Sequence, residues 1–111
     1  MKEIKAIIQP FMLEKVLEAL DEMEELPGLT ISEVRGWGRS HPSTARTSEA
    51  SHALVARTTI EIVVADQLVD RAVEIIVRAA RTGHVGDGKV LVRDLTDVVR
   101  IQTGEHGSDA S

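Results

Sequence analysis

An α+β domain with the element order β-α-β-β-α-β follows from three features of the chain. Strand-like β-branched stretches alternate with two helical apolar stripes, Pro27-Gly28 and a Gly-rich run at 83–88 punctuate them, and 111 residues suit a single domain spanning 1–111. Residues 2–9, KEIKAIIQ, place Ile4, Ala6 and Ile8 on one face and Ile7 on the other, so the second face of this strand is partly apolar. Pro10 ends it. From Phe11 to about Glu25, Leu13, Val16, Leu17 and Leu20 recur at helical spacing, and the acidic remainder reads as the solvated side. Residues 29–37, LTISEVRGW, alternate again.

A second β-branched run, TTIEIVVA, covers 58–65. Between the two lie about twenty residues, 38–57, with six Ser/Thr and no sustained apolar period; a loop of that length is usually functional or disordered. Residues 66–81 predict a second helix, with Asp66 as N-cap, Leu68, Val69, Ala72, Val73, Ile76 and Ala80 inward, and Gly83 just past its end. KVLVR at 89–93 is a strand and VVRI at 98–101 a short extended piece. The tail 104–111 reads as flexible. This order matches the ferredoxin-like split βαβ arrangement, a four-stranded antiparallel sheet with both helices on one face. Ile7 and Val63 leave apolar groups on the opposite face, which favours self-association.

Composition narrows the function. Eighteen acidic against 13 basic residues give a net charge of −5, and Phe11 and Trp37 are the only aromatics, which argues against nucleic-acid binding. Zero cysteines exclude a thiol nucleophile and Cys-based zinc sites, and no apolar run has the length of a secretory or membrane-spanning segment. A cytoplasmic location without membrane insertion is expected.

The most informative segment is Thr82-Gly83-His84-Val85-Gly86-Asp87-Gly88-Lys89. Residues 83–89 satisfy G-x-x-x-x-G-K, but Val90 stands where Mg²⁺ binding requires Ser or Thr, and a helix precedes where a strand should. An NTPase loop is therefore a poor reading. Three glycines still let successive N–H groups line an anion nest, with Lys89 adding a cation. The same residues also read as a helix C-cap and a turn into an edge strand. Gly36-Trp37-Gly38-Arg39 allows close approach of a backbone or ligand with Arg39 as a phosphate fork, or else a strand end with Trp37 packed inside. Arg100 is a third candidate anion contact. His41, His52, His84 and His106 lack helical metal-ligand spacing, and a metal-sensing site on His41 and His52 is the alternative functional reading.

In order and with near-family spacing, KAIIQPF at the start, TISEVRGWGR at 30–39, IEIVV at 60–64, ARTGHVGDGKV at 80–90 and VVRIQTGE at 98–105 resemble the PII signal-transduction family of nitrogen-regulatory proteins. The resemblance covers nearly the whole chain. It implies a non-catalytic homotrimer that binds adenine nucleotide (ATP or ADP, with AMP a further candidate and Mg²⁺ left open) between subunits and presents 38–57 to a partner enzyme or membrane transporter. By resemblance, Ile7, Thr30 and Val63 surround adenine and ribose; Gly36, Gly38 and Arg39 form the loop base; Gly86, Asp87, Gly88 and Lys89 cradle phosphate, and Arg100 binds it. Gln102 stands where the family has a second arginine, implying polyphosphate binding weakened about ten- to a hundredfold and a reduced preference for ATP over ADP or AMP. Ser40 replaces a glutamine that helps bind 2-oxoglutarate, while Arg57 replaces a lysine and keeps an anion contact. The absence of tyrosine rules out uridylylation. The loop looks shortened and, with Arg39, Arg46 and Arg57 against Glu49, basic enough for an acidic partner surface. These departures resemble a divergent branch associated with heavy-metal efflux.

Overall fold

The computed structural model describes residues 1–39 and 52–107, with only the backbone of Arg39 and His52. Six elements carry the fold: β1 (Lys2–Ile8), α1 (Leu13–Leu20), β2 (Thr30–Arg39), β3 (His52–Val64), α2 (Val69–Ala80) and β4 (Gly88–Asp94). They form one antiparallel sheet in the order β2-β3-β1-β4, so each helix links two strands that a third strand separates. The expected α+β fold is the fold observed.

Register explains the core. Ile4, Ala6 and Ile8 of β1 stand opposite Ile62, Ile60 and Thr58 of β3, and period-2 alternation sends all of them to one face. Val16 and Leu20 of α1 and Val69, Ala72 and Ile76 of α2 close over that face, with Met23 behind them. Burying each large aliphatic contributes roughly 1.5–3 kcal/mol, which fixes the helical side of the sheet. Ile7, Thr59, Val63, Thr30, Ser32, Val34, Lys89, Leu91 and Arg93 take the opposite, open face, where no helix lies among the described residues.

Several boundaries differ from expectation. Pro10–Met12 form a 3-10 turn and α1 ends at Leu20, not near Glu25, because the chain tightens through Glu22 N–H to Ala19 O and Met23 N–H to Leu20 O and so buries Met23. Asp66 is not an N-cap; its carboxylate pairs with the amino group of Met1 at 2.9 Å. The segment read as a loop is narrower, since residues 38–39 and 52–57 are strand and continue the β2–β3 ladder past the end of β1. Out there no helix among the described residues covers the ribbon, and Trp37, paired with Leu54, is 69% exposed and not part of the core. The expected mobile, partner-binding segment falls on 40–51, outside the described residues.

Residues 98–101 are not a strand. Val99 bridges His106, and Arg100 donates its N–H to Glu105 O at 2.9 Å while its own carbonyl accepts the Gly104 N–H at 2.8 Å, making a tight hairpin. Residues 104–107 of the expected flexible tail are thus tied into this turn, and 108–111 lie outside the described residues. Among the described residues no helix is long and apolar enough to cross a membrane.

Candidate functional site

The Gly-rich loop after α2 builds itself around one carboxylate. Asp87 accepts the Thr82 hydroxyl on Oδ1 and the N–H groups of Thr82 (2.8 Å) and Gly83 (3.2 Å) on Oδ2, while the His84 N–H donates to Thr82 Oγ1 at 3.2 Å. These bonds, the Thr82 hydroxyl foremost, hold the Asp87 carboxyl below its ordinary value. Asp87 is thereby occupied in shaping the loop. Gly83, Gly86 and Gly88 take φ of +89°, +95° and +107°, which only glycine adopts freely.

The loop then lies down on the end of β1. A Cβ on Gly88 would stand 1.8 Å from the Ile7 carbonyl oxygen, so the two backbones touch. Two residues earlier, Gln9 Nε2 donates to Gly86 O at 2.7 Å. The Arg57 guanidinium reaches the same place: its Nη2 and Gln9 Nε2 both lie 3.5 Å from where a Gly86 Cβ would be, and its Nη1 donates to Ala56 O at 2.8 Å. Lys89, exposed, faces Ile7 across the β1–β4 ladder. Gly86, Gly88, Lys89, Arg57 and Ile7 therefore converge at one corner of the open face, a cluster of backbone and two cations suited to an anion.

Thr30 and Val63 share that face but stand at its other end. With Glu3, Glu61, Pro27, Gly28 and Val98 they line a depression of about 390 Å³. Val98 opens the hairpin that carries Arg100. Asp97 clamps that hairpin by accepting the Val98 N–H at 2.9 Å on one oxygen and meeting His106 Nδ1 at 2.7 Å on the other, and its carboxyl too lies below the ordinary value, chiefly through His106. Five strand residues, roughly 17 Å, separate this end of β1 from Gly88. Gly36 and Gly38 continue the open face along the projecting ribbon, and a Cβ on either would meet nothing within 4 Å among the described residues.

Ser40 and His41 lie outside the described residues, and His52 begins β3 with its side chain undescribed. Among the described residues no three His, Cys, Asp or Glu gather in a metal-holding group. Sequence reasoning missed Gln9 and Thr82. Thr82 had a local signal, a hydroxyl five residues before an Asp in a glycine turn; Gln9 had none, because its partner is 77 residues away.

A sequence profile described as nitrogen regulatory protein P-II matches residues 1–105. The chain belongs to the P-II family. It is accordingly a regulatory signalling protein and not an enzyme. Among curated relatives, nitrogen regulatory protein P-II of Bradyrhizobium diazoefficiens is 46% identical over 112 residues, 99% of each chain. Nitrogen regulatory protein P-II 1 of Escherichia coli K12 shows the same identity and coverage. Both alignments span the two chains almost end to end. Among solved structures, Arabidopsis thaliana PII bound to citrate superposes with a TM-score of 0.80 at 34% identity, covering 99% of this chain and 91% of that one.

Proposed function

We propose that this P-II protein binds adenine nucleotide between neighbouring copies of a homotrimer and passes the bound state along the β2–β3 ribbon to the segment 40–51, which engages a partner enzyme or transporter in the cytoplasm. One observation carries the reading: the open face holds two complementary half-sites at opposite ends of the sheet. The Gly86–Lys89 corner with Arg57 suits a polyphosphate, and the depression of Thr30 and Val63 next to the Arg100 hairpin suits a nucleoside. Because roughly 17 Å of β1 separates them on one chain, a ligand that touches both is best served by two chains, each giving one half. Ile7, opposite Lys89 at the phosphate corner and on the same face, would meet the ribose or adenine as the nucleotide enters that corner.

Each residue then has a role. Gly86 and Gly88 bring N–H groups toward phosphate, Asp87 keeps their loop closed, and Lys89 supplies charge. Arg100 reaches the phosphates from the neighbouring copy. Gly36, Gly38 and Arg39 join the site to the ribbon leading into 40–51, so a ligand seated there biases that ribbon. By the family resemblance Ser40 and Arg57 contact a second small anion such as 2-oxoglutarate, and nitrogen regulation or cation efflux is the process served. The citrate of the Arabidopsis relative supports a small-anion ligand of this kind.

Calorimetric titration with ATP, ADP and AMP, each with and without Mg²⁺, tests the reading against Arg100→Ala. Saturable binding at one site per chain, weakened about tenfold or more in the variant, is expected. Gln102 predicts a compressed ranking of the three nucleotides. Absence of heat for every nucleotide up to millimolar concentration contradicts it.

A further inference from the structure

The bond from Gln9 Nε2 to the Gly86 carbonyl does more than join two segments. In a trans peptide the C=O and the following N–H point in opposite directions. Pinning the Gly86 oxygen against β1 therefore turns the Asp87 N–H away from Gln9, and Gly86, at φ +95°, has the freedom to flip this peptide when the pin is lost. A flipped peptide would present a carbonyl oxygen where an anion should meet an N–H. The pin is itself well anchored, since the Gln9 carbonyl accepts the Met12 N–H at 3.0 Å and Pro10 fixes the chain just after it. Arg57 flanks the same peptide, so its charge and the peptide orientation act on one spot.

We propose that Gln9 is a positioning residue that locks the Gly86–Asp87 peptide in its anion-accepting orientation and so sets affinity for the phosphate end of the ligand. This rests on the nucleotide reading above for its consequence, but the lock itself is measurable without nucleotide.

Two variants separate the parts. Gln9→Met keeps size and removes the donor; Gln9→Lys keeps a donor for the Gly86 oxygen. Hydrogen exchange on the ligand-free protein should show the Thr82, Gly83 and His84 amides, whose acceptors Asp87 and Thr82 move with that peptide, exchanging about tenfold faster in Gln9→Met and near the unaltered rate in Gln9→Lys, with strand amides of β1 and β3 unchanged in both. ATP affinity should fall about tenfold in Gln9→Met and be kept in Gln9→Lys, with equal thermal midpoints. Unaltered loop exchange in Gln9→Met overturns the lock, and so does unaltered ATP affinity in that variant. If the unaltered protein binds no nucleotide, the function proposed above fails, and the exchange measurement alone supports or overturns the lock.

Discussion

Gly88 shows how a single residue can be fixed by the backbone around it. Its φ of +107° already disfavours any side chain, and the Ile7 carbonyl oxygen occupies the place of a Cβ. No rotamer change relieves an overlap with backbone, so Gly88→Ala should force β4 off the end of β1 and cost about 2–5 kcal/mol. Gly83→Ala, at φ +89° but with nothing within 4 Å, should cost only about 1–2 kcal/mol. Urea unfolding of the two variants checks the difference; equal losses would mean that dihedral preference alone, and not contact with Ile7, holds the corner. The glycines were legible in the sequence as turn formers. Which of them is obligatory was not, because that depends on the register between β1 and β4. Trp37 was ambiguous for a related reason: its alternation placed it on the helical side of the sheet, but how far the helices reach along the ribbon is a property of the assembled fold.

At the scale of elements, the loop from Thr82 to Asp87 behaves as a unit held by one carboxylate. A carboxyl that ionises more easily in the fold than in the unfolded chain contributes stability that is fully present above its ordinary value of 3.8 and lost as pH falls through the lowered one. The loop should therefore stay closed at neutral pH, and open only below pH 3.8. The Thr82 and Gly83 amide resonances should follow this transition in an acid titration, and Asp87→Asn should remove it while loosening the loop at neutral pH. A midpoint at or above 3.8 would contradict the account. Strand and helix identities were readable because period 2 and period 3.6 patterns are strong in Ile4–Ile8, Ile60–Val64 and Val69–Ala80. Element ends were less so. The β3 strand runs six residues before Thr58, with 53–56 exposed to solvent, and pairing with β2, not burial, keeps them extended. The hairpin at 97–107 likewise rests on the Asp97–His106 pair and backbone bonds that no apolar period announces.

For the whole molecule, the open face is the decisive feature. It carries Ile7, Val63 and a 47% exposed Leu91 alongside the Glu3–Arg93 ion pair, with a 2.8 Å bond from Arg93 Nε, a mixture of apolar and paired polar groups typical of a surface between protein copies. It also carries the Gly86–Lys89 corner and the Thr30–Val63 depression, roughly 17 Å apart along β1, which on the proposed function are the phosphate and nucleoside halves of a site shared by two chains. On that proposal assembly and ligand binding are coupled, because a ligand held across two chains stabilises the trimer by its own binding free energy. The most direct test is native mass spectrometry of the purified protein with and without ATP, because it counts chains and nucleotides in the same particle. The account predicts three chains carrying up to three nucleotides, with the trimer surviving higher collision energy when loaded. A monomer that binds ATP with the same occupancy would contradict the shared site, and a trimer that carries none would contradict the nucleotide.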